Sequence, residues 1–245
     1  MKSLSFVPAL VAAAWLAGVP AVWCGQARGA VEIVDTLGRK VAIPGTVDRV
    51  ISLEPEVTRI IVALGAGEKL VGIDFFLRRH DHLFPLVFPP ASRLPVVSNQ
   101  GQDLHYEEAV RLRPDVIFAS PSEWQAAEAI ERKMKVPVAA LASMGRFDGL
   151  LAEIGTLGRI LGREGRAAAL TSYIKAHLET AAPPSSGTGS GPRPSVYLSF
   201  WGSLVRTPVS YDPVVAAGGR NAAAGLLPYC RFDVIDTLAS APRDL

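Results

Sequence analysis

Cysteine is almost missing from this chain, with Cys24 and Cys230 the two that occur in 245 residues. Cys24 falls in a segment that reads as removable and Cys230 alone closes no intramolecular disulfide, so the fold has to stand on packing. Charge of one sign is missing too. Lys+Arg 25 against Asp+Glu 23 leaves a formal net charge of +2, without long blocks of like charge. That excludes the electrostatic footprint of a nucleic-acid or anionic-membrane partner. Beyond the N-terminus no apolar run approaches the ~20 residues of a spanning helix. Gly65-x-Gly67 with Gly72 follows a helical pattern and precedes a strand pattern, the reverse of what a phosphate cradle requires. Gly189-Ser190-Gly191 has Thr188 where a nucleophile elbow needs its first glycine. Neither a nucleotide enzyme nor a serine hydrolase has residues to stand on, and no cofactor is expected.

What is present is 49% hydrophobic and 20% charged, enough for one large core or two smaller ones. Lys2, the apolar run Leu4 to Leu16 and the small-residue stretch ending Ala27-Arg28-Gly29 have the three regions of a secretory signal, assigned to residues 1–29. The expected location is periplasmic. Cys24 is a candidate lipid-bearing cysteine, but bulky Trp23 precedes it, so simple cleavage is the stronger expectation.

The segment Val47 to Asp74 organises the rest. Val50, Ile51 and Leu53 read as a strand, and Val57, Ile60, Ile61 and Leu64 recur at helical spacing. Pro55 suits a first helical turn, Gly65 and Gly67 supply the stop, and Leu70 to Ile73 is a second strand. Strand, crossover helix and strand imply parallel pairing, with ligands expected at the strand C-terminal ends. Further along, Glu32 to Asp35 and Lys40 to Ile43 form a hairpin around Leu37-Gly38-Arg39. The stretch from Phe75 past Pro85, Pro89, Pro90 and Pro95 reads as a long binding loop. Tyr106 to Leu112 is a short helix, with Ala109, Val110 and Leu112 expected inside. Val116 to Ala119 and Val138 to Leu141 are strands, with a helix from Ser120 towards Met134 between them. Arg146 to Thr180 is a long, nearly continuous helix with a kink expected near Gly162. PPSSGTGSGPRP over Pro183 to Pro194 is a flexible connector.

RVISLEPEVTRIIVALGAGEKLVGID, the preceding DTLGRKVAIPGTVDRV and LRPDVIFAS at Leu112 to Ser120 resemble the periplasmic binding proteins that deliver ferric siderophores, haem or cobalamin to ABC importers. YDPVVAAGGRNAA resembles the same family's second-lobe segment. The resemblance implies an α/β fold of two Rossmann-like lobes with parallel sheets joined by one long helix. On this chain that gives an N-terminal lobe over 30–145, an interlobe helix over 146–181, a linker over 182–195 and a partial C-terminal lobe over 196–245. The last is small for a domain, and the expectation is that its C-terminal part is missing. The implied function is non-catalytic: capture of a metal chelate between the lobes by a monomer, then delivery to an ABC permease in the inner membrane.

The expected cleft runs along Ser52 to Pro55, Asp74 to Arg79, Ser98 to Gln102, Ser120 to Trp124 and Phe200 to Ser203. Candidate ligand-binding residues are Ser52, Glu54, Pro55, Phe75, Phe76, Arg78, Asn99, Gln100, Ser122, Trp124, Phe200, Trp201 and Arg206. Rings suit a planar ligand and guanidinium suits its negative groups. Ordinary core packing is the competing reading, strongest for Phe75 and Phe76. His80-Asp81-His82 is the one sequence cluster of imidazole and carboxylate, so His80 and His82 are candidate metal ligands beside the commoner reading as solvated loop residues. A metal-dependent periplasmic enzyme using this trio, or a free-metal binding protein, are the alternatives. In the resembled family an acidic residue on each lobe meets the permease. The matching first-lobe position is Glu107, whose competing reading is a solvated carboxylate near a helix N-terminus. In the second lobe the register falls on Ile235, beside Asp233 and Asp236, of which Asp236 is the candidate.

Overall fold

The computed structural model describes residues 29–98, 104–120, 124–141, 145–181, 193–199, 206–208, 210–224 and 234–236. The chain opens with an antiparallel hairpin of β1 (Val31–Val34) and β2 (Lys40–Ile43). Buried Asp35 fixes its turn by accepting from Leu37 N and Arg39 N and from the Arg39 guanidinium, and it also takes Ala140 N at 3.2 Å. One carboxylate thus closes the turn and ties the hairpin to a strand about 100 residues on.

The central layer follows. Strand β3 (Val50–Ser52) leads into α1 (Pro55–Ala63) and β4 (Leu70–Ile73), the parallel unit expected from the sequence. Pro55 stands in the first turn of α1, and Val57, Ile60, Ile61 and Leu64 all point into the core. Gly65, at φ 67°, makes the left-handed stop. Between β4 and the next strand, the expected loop is instead a chain of short helical turns: α2 (Phe75–Arg79), α3 (Phe84–Val87) and a 3-10 turn over Pro89–Arg93. Pro85, Pro89 and Pro90 sit in first turns, where a missing N–H costs nothing, so they punctuate helices rather than prevent them. Ile73 then bridges Val96 in parallel.

Helix α4 (Tyr106–Arg111) precedes β5 (Val116–Ala119), α5 (Trp124–Met134) and β6 (Val138–Ala140). Val110 does not turn inward as expected; it is 57% exposed, and Ala109 alone of the trio is fully buried. The four strands lie in the order β4-β3-β5-β6, all parallel. Their side chains alternate between two cores. Val50, Val116 and Phe118 face α1 and the hairpin, whereas Ile51, Ile117 and Ala119 face α4 and α5.

The long segment expected over Arg146 to Thr180 is two helices, α6 (Phe147–Leu161) and α7 (Glu164–Ala181), parted at Gly162, where the kink was expected. Gly162, left-handed at φ 68°, ends α6, and the chain restarts. Ile154, Leu157, Ile160 and Leu161 belong to the same core as α1, so α6 is built into the first α/β layer. Arg163 and Arg166 of this junction donate to the carbonyls of Gly65 and Ala63 at 3.3 and 3.2 Å, completing the C-terminus of α1.

The later segments are small. Strand β7 (Ser195–Val196), β8 (Arg206–Pro208), α8 (Asp212–Ala216), β9 (Arg220–Asn221) and β10 (Val234–Asp236) form the parallel pair β7-β9 and the antiparallel pair β8-β10. Asp212 reaches back to α6, with Phe147 N donating to its Oδ2 at 2.8 Å.

Candidate functional site

The sheet order fixes where a ligand belongs. The chain leaves β3 towards β4 on one side and returns to β5 on the other, so the segments after β3 and β5 diverge. In parallel sheets such a switch point opens a crevice at the strand C-terminal ends. Leu53 N donates to Phe118 O at 2.8 Å, which holds the two edges of this crevice together just where the chains part.

Two buried carboxyl groups stand there. Glu54, 8% exposed, precedes α1, and Asp74, 4% exposed, precedes α2. Burial pushes Glu54 up to about 7 against the pull of a Ser120 hydrogen bond, and the nearby charges of Glu56 and Asp74 push the same way. Burial likewise pushes Asp74 up to about 6, against the amides of α2 and the Arg59 charge. Asp74 Oδ1 accepts from Leu77 N at 3.0 Å, while Oδ2 is buried without a hydrogen-bond partner. Among the sequence candidates Glu54 was named and Asp74 was only a segment boundary; its position directly after a buried strand, three residues ahead of Leu77, was the available signal.

The other candidates fall into distinct places. Ser52 is wholly buried, its hydroxyl donating to the Glu54 carbonyl at 3.2 Å and accepting from Thr58 at 2.8 Å, so it shapes the turn under Glu54. Pro55 is half-buried in the first turn of α1. Phe75 is half-buried and Phe76 is 49% exposed, because Leu77 takes the core position of α2; the packing reading fails for Phe76. Phe75 N also donates to Ser98 Oγ at 3.3 Å, bringing the segment after Val97 to the same edge. Arg78 points elsewhere: its guanidinium donates to Ala91 O and Leu94 O at 3.1 and 3.0 Å, stapling the helical turns.

The His80-Asp81-His82 cluster resolves into separate roles. Asp81 pairs with Arg59 at 2.6 Å and accepts from Leu83 N and Phe84 N, capping α3. Hydrogen bonding by Arg59 holds its carboxyl below the usual range. The His80 ring lies 5.5 Å from that of Phe75 and 5.7 Å from that of Phe76, and His82 is exposed. Among the described residues no group of three or more His, Cys, Asp or Glu is arranged to hold a metal ion.

Asn99, Gln100, Ser122, Phe200 and Trp201 lie outside the described residues. Trp124 begins α5, Arg206 begins β8 and Asp236 ends β10. Glu107 is exposed on α4, at the edge of a surface cavity that Tyr106, Glu108, Arg111 and Lys133 also line. A second cavity, bounded by Ala42, Glu131, Lys135 and Pro137, opens at the opposite end of the sheet, where strands begin. Topology places ligands at the other end.

The profile of the periplasmic binding proteins matches residues 50–224. The chain belongs to this family. These are solute-binding proteins acting outside the cytoplasm, not enzymes, so the metalloenzyme alternative falls. Among the described residues no helix is long and apolar enough to cross a membrane. A cobalamin-binding protein of Halobacterium salinarum is 26% identical over 193 residues, covering 78% of this chain and 50% of the relative. The chain thus spans about half the length of the curated relatives it matches. The molybdate periplasmic binding protein MolA of Haemophilus influenzae superposes with a TM-score of 0.65 at 19% identity, covering 80% of this chain and 67% of that one. A periplasmic heme-binding protein of Pseudomonas aeruginosa gives 0.54 at 24% identity, covering 71% and 62%. At these identities the solved structures attest the fold, an α/β architecture of the two-lobed type.

Proposed function

We propose that this periplasmic binding protein captures a metal chelate between two lobes and hands it to an ABC permease. The first lobe spans residues 30–145 and the second begins at 196, with 146–181 between them. Support comes from the family match together with one geometric observation: Glu54 and Ser120 flank the switch point at the C-terminal end of a parallel sheet, and Asp74 and Ser98 follow the neighbouring strand ends on the same edge. A ligand held there touches turns from separate strands, so closure of a second lobe over it needs no covalent chemistry. The ring of Phe76, left exposed beside this edge, offers a face to a flat chelate. Residues 1–29 act as an export signal, and exposed Glu107 is the first-lobe contact for the permease.

The relatives' ligands differ, from a corrinoid to haem to an oxyanion, and the chemistry of this chain's own site has to choose between them. The experiment is a titration of the purified chain with cyanocobalamin, hemin, ferric siderophores, molybdate and bare metal salts, read by quenching of tryptophan fluorescence. Saturable quenching by a chelate is expected. Saturation by bare metal alone would replace this reading with a free-metal binding protein.

A further inference from the structure

The strand C-terminal edge carries more acid than base. Glu54, Glu56, Asp74 and Asp81 crowd it, and Arg59 is spent on Glu56 and Asp81. Arg78 is tied to backbone carbonyls, and Arg79 stands over the Phe75 ring at 5.9 Å. No side-chain ion pair to Glu54 or Asp74 forms among the described residues. Ser120 and the Glu56 amide hydrogen-bond the Glu54 carboxyl without a charge to balance it, and Asp74 keeps a buried oxygen with no hydrogen-bond partner. A buried acceptor left in that state costs free energy, and its presence at the expected ligand face calls for a donor from outside the chain.

We infer that Glu54 and Asp74 form an acceptor subsite for an N–H-bearing group of the ligand, a peripheral amide or ammonium, so the first lobe selects neutral or cationic chelates over carboxylate-rich ones and oxyanions. This deepens the solute-binding reading and rests on it. An anionic group brought here would meet two carboxyls that no cation pairs among the described residues, an arrangement that rejects it as much as it welcomes a donor. Arg78, one of the guanidinium groups expected to pair with a negative ligand, donates instead to Ala91 O and Leu94 O.

The test compares the full chain with Glu54→Gln and Asp74→Asn by fluorescence quenching, using cyanocobalamin for amides, ferrioxamine B for a free ammonium, and hemin and molybdate as anionic probes. Asn at 74 keeps an oxygen for the Leu77 amide, so this variant carries the comparison if Glu54→Gln fails to fold by circular dichroism. The wild type is expected to bind cyanocobalamin or ferrioxamine B more tightly than either anion, and each variant to lose at least about tenfold for that probe, the order of one charge-assisted hydrogen bond. Whichever of the two binds names the donor. Folded variants that bind the donor-bearing chelate as well as wild type would overturn the subsite while leaving the solute-binding reading intact, as would a wild type that prefers hemin or molybdate. A wild type that binds none of the four removes both.

Discussion

Burial without a cation makes Glu54 and Asp74 a liability for the fold, and the sign of that liability is measurable. Their folded values, about 7 and about 6, lie above the ordinary 4.5 and 3.8. Between the two limits the native state holds protons that the unfolded chain has released, so stability falls as pH rises from about 4 to about 7. Thermal melts across that range should show a declining melting temperature, and Glu54→Gln, which never ionises, should flatten the decline and melt higher than wild type at pH 8. A parallel decline in the variant would remove Glu54 as its source. Asp115 acts through hydrogen bonds to the backbone. Its Oδ2 accepts from Asp48 N and Arg49 N at 2.8 Å each, and Arg49 Nε donates to Leu112 O, which clamps the start of β3 to the turn before β5. Asp115→Ala should therefore destabilise by about 1–3 kcal/mol, measured by urea denaturation, as two amides lose their acceptor. The sequence displayed Pro114-Asp115 as a signature but not this job, because the partners lie 66 and 67 residues away. Asp81 was misread for the same reason: beside two histidines in sequence, it is engaged by Arg59, 22 residues earlier.

Elements were legible where their period was long and their ends were marked. Helix α1 shows a proline at its start, a glycine at its stop and four core residues at helical spacing between, and it folds as read. The strands were legible as short buried runs, and the alternation of Val50 with Ile51 and of Val116 with Ile117 between two cores explains why they are apolar on both faces. Helices α2 and α3, at 5 and 4 residues, are too short to display a period, and caps supplied by Asp74 and Asp81 are what form them. Between α6 and α7 the kink was expected near Gly162, and the break falls there, among four glycines of this stretch. The structure distinguishes them: Gly162 adopts the left-handed conformation, and a Cβ at Gly158 would lie 2.5 Å from that of Ala167, while Gly155 and Gly165 face open space. Gly158→Ala should consequently cost about 1–3 kcal/mol by overpacking the α6–α7 contact, whereas Gly155→Ala should stabilise slightly through helix propensity. Equal melting temperatures for the two variants would mean that α7 does not pack against α6 as described.

At the scale of the whole molecule, the proposed function asks this protein to do two things: hold a solute at the strand ends of the sheet and present a surface to a transporter. Glu54 and Asp74 are buried after β3 and β4, at the strand C-terminal ends, whereas Glu107 is exposed in the first turn of α4, just after His105 donates its N–H to Val97 O. Ala109 anchors that helix, and Glu108 is drawn to Arg111 at 2.9 Å, while Glu107 is in the first turn with its side chain outward. A rim charge of this kind steers association and register more than it adds affinity. Glu107→Ala is accordingly expected to leave chelate quenching and the melting temperature within error of wild type, and to lower uptake in cells carrying the matching permease. Charge reversal to Lys should lower it further, since a permease surface suited to a carboxylate repels a like-charged ammonium. Raising the salt concentration in a reconstituted assay should shrink the difference between wild type and variant, because exposed charges are screened. If uptake by Glu107→Ala equals wild type while binding is normal, the permease contact lies elsewhere on the molecule; if binding falls as well, Glu107 is part of the solute site and the separation of the two tasks is wrong.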